Sequence, residues 1–383
     1  MNVERLLWEE DAIGLAARIR AGELSPLEAA EAAIARTERV NPQINAVVER
    51  LYDKARRDAA NVDRDAPLAG VPFAIKDLGI AQKGVPTHQG SRIPVFTPDV
   101  DSVLVERYRA AGLIPIATST SPEFGLRLVT ESTAFGATRS PWNVAHTTGG
   151  SSGGASALVS AGVVPVAHAS DGGGSIRVPS ATTGLVGMKV SRGRVPHTPL
   201  ASESWYGFVV DHAVTRSVRD SALLLDLTHG PDALAPYAAR PPKGTFSAAA
   251  ARDPGKLSLA VYRGSPLGLE ISAETFAALD TSVALAREGE HTIEEIDLPM
   301  IDRAFMADFC RVVAASVAGQ MRIEAMRVGR PLLGGVERGS RVIARLGDML
   351  SGGEIYAAVE RLHAAARALI AATLRYDAVL MPC

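Results

Sequence analysis

Residues 148–179 read TGGSSGGASALVSAGVVPVAHASDGGGSIRVP and contain two loops rich in glycine and serine. Between these loops, helical spacing predicts a helix at 156–161, and an apolar run predicts a strand at 163–167. One helix and one strand are enough to return the chain to the same edge of a sheet. The stretch therefore predicts an α/β sheet with Ser151 and Ser175 close together at one edge.

The alternation of helices and strands continues on both sides of this stretch. The N-terminal segment, about residues 1–60, is mostly helical in pattern, and Ser25, Pro26 and Glu28 predict a helix start with a capping box. Further strands are predicted at 71–76, 113–117, 185–190, 257–262, 292–298 and 376–381, and the last of these is expected to be buried. Further helices are predicted at 101–111 and 273–287, with alanine-rich helices beyond them. The whole pattern is that of an α/β fold.

Composition places the chain among ordinary globular proteins. It has 383 residues, of which 47% are hydrophobic and 21% charged, which excludes disordered and fibrous classes. With 40 basic and 42 acidic side chains the net charge is −2, which argues against a nucleic-acid partner. Two cysteines, Cys310 and Cys383, cannot build a disulfide scaffold or a thiolate zinc site. A small-molecule partner is therefore expected.

The sequence shows no targeting segment. Its N-terminus lacks the basic and apolar regions of a signal peptide, and no apolar run reaches the length of about 18 residues that spans a membrane. These features predict a cytoplasmic protein without a membrane partner. Whether the chain forms a homodimer stays open.

A lysine ends the apolar strand predicted at 71–76. A lysine acts as a base only when it is neutral, and removing Lys76 from water on such a strand would lower its pKa. The commoner fate of a lysine at a strand end is to extend into water. The two serine loops favour the first interpretation, in which Lys76 activates a serine nucleophile.

The second glycine-rich loop is suited to binding negative charge. Three consecutive glycines, Gly172, Gly173 and Gly174, precede Ser175, so successive backbone N–H groups can point into one space. Such a group of donors stabilises the oxyanion of a tetrahedral intermediate, and side chains at these positions would block a substrate.

Three other interpretations of the loops compete with this one. A phosphate-binding loop requires a spacing such as G-x-x-x-x-G-K-[ST], which the sequence lacks. A nucleophile elbow matches residues 149–153 as G-x-S-x-G, but residues 141–148 do not form the buried strand that must precede it. The third interpretation is that both loops are purely structural turns, which would be sufficient if only one such loop were present. They leave the second serine loop and Lys76 unexplained.

Together these motifs resemble the amidase signature family, in segments 70–77, 121–125, 136–143, 149–156, 170–179 and 184–189. The resemblance implies a single α/β domain over residues 1–383, built on a mixed sheet of about eleven strands with helices on both faces. Its catalytic core would span about 66–225, and a helix-rich part about 257–383 would lack the family's C-terminal residues. Independently of the resemblance, residues 240–256 are rich in proline, glycine, alanine and basic residues, which predicts a surface connection and not a boundary between independent domains.

The resemblance also implies roles for individual residues. Ser175 would be the nucleophile, and Ser151, after a cis Gly150–Ser151 peptide, would pass its proton to Lys76. The other expected site residues are, by role, Gly172, Gly173 and Gly174 in the oxyanion hole, Ser152, Asp171 and Arg177 as supporting residues, and Gly125 and Trp205 at the substrate. No metal or organic cofactor is implied.

The implied activity is hydrolysis of aliphatic, aryl or cyclic amides through a serine acyl-enzyme. Residues 84–91 lack the pattern of one family branch, the A subunit of the tRNA-dependent amidotransferase, and 121–125 is more similar to stand-alone amidases. That subunit and a catalytically silent binding protein of the same fold remain as alternatives.

Overall fold

The computed structural model describes residues 3–93, 96–265, 267–299, 302–332 and 334–383. Residues 1 and 2 of the predicted helical N-terminus lie outside these ranges. The chain divides into two compact units, Met1–Ala251 with Arg322–Arg341 and Arg252–Met321 with Val342–Cys383. The division after Ala251 falls within the predicted connection at 240–256.

Helices account for much of both units. In chain order the α-helices among the described residues are α1 (Val3–Glu9), α2 (Ala12–Arg20), α3 (Pro26–Ile44), α4 (Tyr52–Asn61), α5 (Val103–Ala110), α6 (Gly153–Ser160), α7 (Arg177–Thr183), α8 (Val218–Thr228), α9 (Phe246–Ala251), α10 (Ala273–Glu288), α11 (Arg303–Val328), α12 (Arg338–Asp348) and α13 (Gly352–Thr373). α3 begins as predicted, because the Ser25 hydroxyl accepts the Glu28 N–H while the Glu28 carboxylate accepts the Ser25 N–H.

The strands are short, and hydrogen bonds divide them among four sheets. In chain order they are β1 (Val47–Arg50), β2 (Pro72–Lys76), β3 (Ile114–Ser119), β4 (Glu131–Ser132), β5 (Gly136–Ala137), β6 (Arg139–Ser140), β7 (Asn143–Thr147), β8 (Val166–Asp171), β9 (Val186–Gly187), β10 (Val210–Thr215), β11 (Ser258–Val261), β12 (Thr292–Glu295) and β13 (Ala378–Leu380). The largest sheet has six strands in the order β1-β3-β2-β8-β10-β9, and a second has the order β12-β11-β13. β4 pairs with β5, and β6 pairs with β7.

The six-stranded sheet brings the ends of β2 and β8 together. These strands are parallel neighbours, with Phe73 opposite Val166 and Ala74 opposite Ala167, and β8 is antiparallel to β10 on its other side. Parallel neighbours present their carboxyl ends at the same edge of a sheet, where active sites of α/β proteins are usually found. Here β2 ends at Lys76 and β8 at Asp171, so the loops that follow them meet at this edge.

The centre of this sheet is the core of the first unit. Every residue of β2, β3, β8 and β10 is buried, as expected for strands with neighbours on both sides and helices packed against the sheet. Phe73 of β2 packs against Tyr108 of α5, with 4.7 Å between the ring centroids. All residues of α6 are buried as well. A fully buried interior therefore lies behind the edge at which β2 and β8 end.

The α/β class predicted from the sequence is confirmed, with differences in detail. The strand predicted at 163–167 is β8, which starts at Val166 and continues to Asp171, and the helix predicted at 156–161 starts at Gly153. β10 was not predicted. The resemblance implied about eleven strands in one sheet, whereas the described strands are grouped as six, three, two and two. In the three-stranded sheet, β12 and β13 lie at the edges and pair only with β11 among the described residues.

The second unit has a sheet and a small core of its own. β11 pairs in parallel with β12 and with β13, and Val261, Leu279 and Val283 form a buried cluster beside it. The strand predicted at 376–381 forms as β13 but was expected to be buried. Its burial was wrongly predicted, because Ala378 is exposed and the next two residues are only partly buried.

Candidate active site

The site is centred on the amine of Lys76, which is enclosed by serine hydroxyls. Lys76 is the last residue of β2 and is 1% exposed. Its Nζ donates to Ser151 Oγ at 2.7 Å, to Ser152 Oγ at 3.0 Å and to Ser170 Oγ at 3.0 Å. The side chain thus does not extend into water, as an ordinary strand-end lysine would.

Burial changes the charge state available to this amine. Removal from water lowers the pKa of Lys76 to about 7, against the nearby carboxylates of Asp211 and Asp171, which act to raise it. At neutral pH a substantial fraction of the amine is therefore neutral and able to accept a proton.

The first serine loop is a tight turn between β7 and α6. The peptide bond between Gly150 and Ser151 is cis, as the resemblance implied, and Gly149 has the left-handed φ of 70°. A Cβ on Gly150 would lie 2.8 Å from the backbone of Val129, so a side chain has no room there. In this turn the Ser151 hydroxyl contacts Lys76 Nζ.

Ser152 connects the two loops. Its hydroxyl accepts a hydrogen bond from Lys76, and donates to the Ser170 carbonyl at 3.2 Å. Its backbone N–H donates to the carbonyl of Ser175 at 3.2 Å. The structure thus brings Ser175 to the turn that holds Ser151, as the spacing predicted. In the described part of the chain no hydrogen bond joins the hydroxyls of Ser151 and Ser175.

The second loop follows β8 and is held by a carboxylate. Asp171 is fully buried and accepts the N–H groups of Gly174 at 2.8 Å and Ile176 at 3.1 Å. Arg177 donates to the same carboxylate through Nε at 2.9 Å and Nη2 at 3.0 Å. Burial alone would raise the pKa of Asp171, but the Arg177 guanidinium and these N–H groups outweigh it, so the pKa lies below its ordinary value. Asp171 and Arg177 therefore fix the shape of the loop.

These contacts bear on the expected oxyanion hole. The N–H of Gly174 was expected in the oxyanion hole, but Asp171 already occupies it as an acceptor. Within the described residues the N–H groups of Gly172, Gly173 and Ser175 donate no hydrogen bond. Those three N–H groups have no acceptor among the described residues, and donors of this kind can stabilise a negatively charged oxygen.

Two residues expected at the substrate lie beside these loops. A Cβ placed on Gly125 would be 3.2 Å from Ser151 Oγ, which puts the Gly125 backbone against that hydroxyl. Trp205 lies against the second loop, since a Cβ on Gly172 would be 3.0 Å from Trp205 Cε3. Both residues therefore lie next to loops that carry the expected catalytic residues.

Sequence reasoning missed Ser170 as a functional residue. It is the third hydroxyl around Lys76 and sits at the end of β8, one residue before Asp171. The signal was present, because alternation along the strand places His168 and Ser170 on the same face. The predicted strand ended at residue 167, so this face was not followed to the edge.

The described residues contain neither a metal-binding cluster nor a membrane-spanning helix. Among the residues that the structure describes, no group of three or more His, Cys, Asp or Glu side chains has the arrangement of a metal site. Across the same ranges, no helix combines the length and apolar character needed to cross a bilayer.

The sequence is similar to known proteins along nearly its whole length. A family model described as Amidase matches residues 28–382. The 6-aminohexanoate-cyclic-dimer hydrolase of Paenarthrobacter ureafaciens is 36% identical over 368 residues, which cover 93% of this chain and 73% of that protein.

Solved structures give the same result. A structure of 6-aminohexanoate cyclic dimer hydrolase matches with a TM-score of 0.92 at 32% identity, covering 97% of this chain and 78% of the other. A bacterial aryl acylamidase belonging to the amidase signature enzymes matches with a TM-score of 0.90 at 28% identity, covering 98% and 79%.

Proposed function

This chain belongs to the amidase family, and from that premise we propose that it hydrolyses amides through an acyl-enzyme on Ser175, with Ser151 and Lys76 transferring the proton. The resemblance inferred from the motifs is confirmed by the family match, as is a hydrolase acting on carbon–nitrogen bonds. The match spans both compact units, which supports a single amidase domain over 1–383.

The observation that carries the proposed triad is the environment of Lys76. A buried amine with a pKa near 7 accepts a proton at physiological pH, which an exposed lysine does not. Its shortest contact, 2.7 Å, is with Ser151, and the Ser151 turn lies beside Ser175. Serine needs such a base because its own hydroxyl is a weak nucleophile.

The reaction follows from these positions. Ser175 Oγ bonds to the amide carbon as its proton moves to Ser151, and the Ser151 proton moves to Lys76 Nζ. The carbonyl oxygen becomes an oxyanion facing the N–H groups of Gly172, Gly173 and Ser175. Lys76 then returns a proton through Ser151 to the leaving nitrogen, and the C–N bond breaks. Water repeats the sequence on the ester, releasing the acid and restoring Ser175.

Substrate preference is proposed from the relatives. The first candidate is an aliphatic amide, including a cyclic one, because the chain is 36% identical to a 6-aminohexanoate-cyclic-dimer hydrolase. The second is an aryl amide, supported by the likeness to an aryl acylamidase and by the flat ring of Trp205 against Gly172.

The nucleophile is tested by covalent labelling. The chain is treated with a serine-reactive fluorophosphonate, digested and mapped by mass spectrometry, beside Ser175→Ala, Lys76→Met and Ser160→Ala. We expect one adduct on Ser175, no adduct in Ser175→Ala, and labelling at least about 1,000-fold slower in Lys76→Met. Ser160, a buried serine of α6 that donates to the Ser156 carbonyl, is the matched control and should leave the rate unchanged.

Two amides then distinguish the substrate candidates. Opening of 6-aminohexanoate cyclic dimer is followed by mass spectrometry as the gain of one water, and release of 4-nitroaniline from 4-nitroacetanilide is followed by absorbance. Ring opening is the expected result. Nitroaniline release without ring opening would favour the aryl candidate, and a chain that folds but takes no label would contradict the proposed triad.

A further inference from the structure

A second buried group of titratable residues lies behind the Lys76 amine. Asp211 of β10 is 4% exposed, and its carboxylate lies between two imidazoles. Oδ1 is 3.3 Å from His168 Nε2, and Oδ2 is 2.7 Å from His197 Nδ1. None of these three residues has a role in the proposed reaction.

Strand pairing places Asp211 and His168 on the same face of the sheet as Ser170. Asp211 is directly opposite Ser170 in the β8–β10 pair, and directly opposed residues point to the same face. His168 is two residues before Ser170 and shares that face. Ser170 in turn contacts the Lys76 amine. His168, Ser170 and Asp211 therefore share one face of β8 and β10, and Ser170 at the end of that face is the residue that reaches the Lys76 amine.

A direct contact joins the group to the end of β2. The backbone N–H of Lys76 donates to His168 Nδ1 at 3.3 Å. Because Nδ1 accepts this hydrogen bond, Nε2 is the ring nitrogen of His168 that donates to Asp211. The chain of contacts runs from Lys76 through His168 to Asp211 and ends at His197.

We propose that Asp211 is a positioning residue for Lys76. The buried carboxylate of Asp211 holds the end of β2 through His168, and its charge governs how readily the Lys76 amine loses its proton. The proposal rests on the proposed function, in which Lys76 is the base. His197 contributes to the same effect, because its positive charge compensates the negative charge of Asp211.

The charges around the carboxylate define the direction of the effect. Burial alone would raise the pKa of Asp211, but the two imidazoles hold it well below its ordinary range, so Asp211 is ionised at neutral pH. Burial alone would lower the pKa of His197, but Asp211 and the backbone at Val209 outweigh it and the pKa is raised, with Glu203 acting in the same direction. The other groups facing these residues are Asp171 near Lys76, and Tyr108, which packs its ring 6.1 Å from that of His168.

His212, next to Asp211 in the sequence, does not belong to this group of residues. His212 is on the opposite face of β10, and its Nε2 contacts Ser221 Oγ at 2.9 Å. Burial lowers the pKa of His212 to about 4, so it is neutral where the amidase reaction would run. The negative charge of Asp211 is therefore compensated by His197 and not by His212. The same charge stabilises the protonated form of Lys76.

The test compares two substitutions with opposite expected effects. The rate of fluorophosphonate labelling at Ser175 is measured between about pH 5 and 9, and its rise with pH reports loss of the Lys76 proton. In Asp211→Asn the amine loses a stabilising negative charge, so the midpoint of the rise should move about one pH unit lower. In His197→Gln the Asp211 charge is uncompensated, so the midpoint should move higher.

Asp220→Asn is the matched control. Asp220 is also a buried aspartate, 1% exposed, and accepts the N–H groups of Ala12 and Ile13, away from this network. Its midpoint should equal that of the unsubstituted chain. Circular dichroism checks that each variant folds, and His197→Gln decides the question alone if Asp211→Asn does not fold.

The outcomes separate this inference from the function on which it rests. An unsubstituted chain that takes no label on Ser175 contradicts both. A labelled chain whose midpoint is the same in Asp211→Asn and His197→Gln contradicts the role of Asp211 alone. A midpoint shift in the same direction in both variants, or an equal shift in Asp220→Asn, would also overturn the proposal. Such a result would indicate a general loss of packing, which does not depend on the charge that each substitution removes.

Discussion

The loop after β8, residues 172–175, has no room for a side chain at Gly172, because other side chains pack against its backbone. A Cβ on Gly172 would lie 2.9 Å from Val209 Cγ2 and 3.0 Å from Trp205 Cε3. Gly172→Ala should therefore displace the loop or Trp205, and slow labelling of Ser175 by about 100-fold, since small misplacements of reacting groups have effects of that size. The measurement is the second-order rate constant for the fluorophosphonate.

Gly353→Ala is the control for this prediction. A Cβ on Gly353, in the first turn of α13, would meet no atom within 4 Å. It should label at the unsubstituted rate. Labelling of Gly172→Ala at that same rate would mean that the loop tolerates a side chain and that its donors are not positioned by this packing.

At the scale of single residues, the sequence predicted what is local and missed what is paired across strands. Lys76 was found because it ends an apolar run, and Ser151 and Ser175 because glycines surround them. Asp211 was not found, because its neighbours His168 and Ser170 come from a different strand. The occupied N–H of Gly174 was also hidden, since it depends on where the Asp171 carboxylate points.

At the scale of elements, burial on both faces weakened the sequence signal. β8 and β10 are completely buried, yet His168, Ser170, Asp211 and His212 interrupt their apolar character. Polar residues are stable there only because each has a hydrogen-bond partner, which the sequence does not display. β8 was therefore predicted too early and β10 not at all, whereas α3, with its explicit capping box, was predicted from its first residue.

The packing of α6 against β3 makes a prediction for stability. A Cβ on Gly154, in the first turn of α6, would lie 2.4 Å from the backbone nitrogen of Thr120. Because a backbone atom cannot move aside as a flexible side chain can, Gly154→Ala should lower the free energy of unfolding by about 1–3 kcal/mol. Thermal or urea unfolding followed by circular dichroism measures the change.

Gly319→Ala should change the free energy of unfolding in the opposite direction. Gly319 lies within α11, and a Cβ there would meet no atom within 4 Å. Alanine should stabilise that helix by up to about 1 kcal/mol, because glycine is the poorer helix former. If the two variants changed stability in the same direction, close packing at Gly154 would not be the cause.

At the scale of the whole molecule, alternation of elements was sufficient for the α/β class but not for the grouping of strands. The expected sheet of about eleven strands came from the resemblance. Which strands pair is decided by contacts between segments far apart in sequence, such as β11 with β13. The two compact units were likewise not visible, because residues 240–256 have the composition of any surface connection.

That connection predicts where a protease cuts first. Lys243 and Arg252 are exposed and flank the short helix α9, outside any strand. Exposed segments with little regular structure are preferred sites of proteolysis, so brief digestion with trypsin should cut after these residues first. Mass spectrometry of the earliest fragments locates the cuts. Earliest cuts within β2, β8 or β10 would be incompatible with the burial of those strands.

The three hydroxyls around Lys76 also determine where hydrogen atoms can lie. An ammonium has three N–H bonds, one for each oxygen, but a neutral amine has two and a lone pair. One hydroxyl must then reverse its hydrogen bond and donate to nitrogen. Ser152 already donates to the Ser170 carbonyl, and of the remaining two Ser151 is nearer, at 2.7 Å against 3.0 Å. Loss of one proton from Lys76 thus turns the Ser151 hydrogen toward the amine and exposes an oxygen lone pair on its other side.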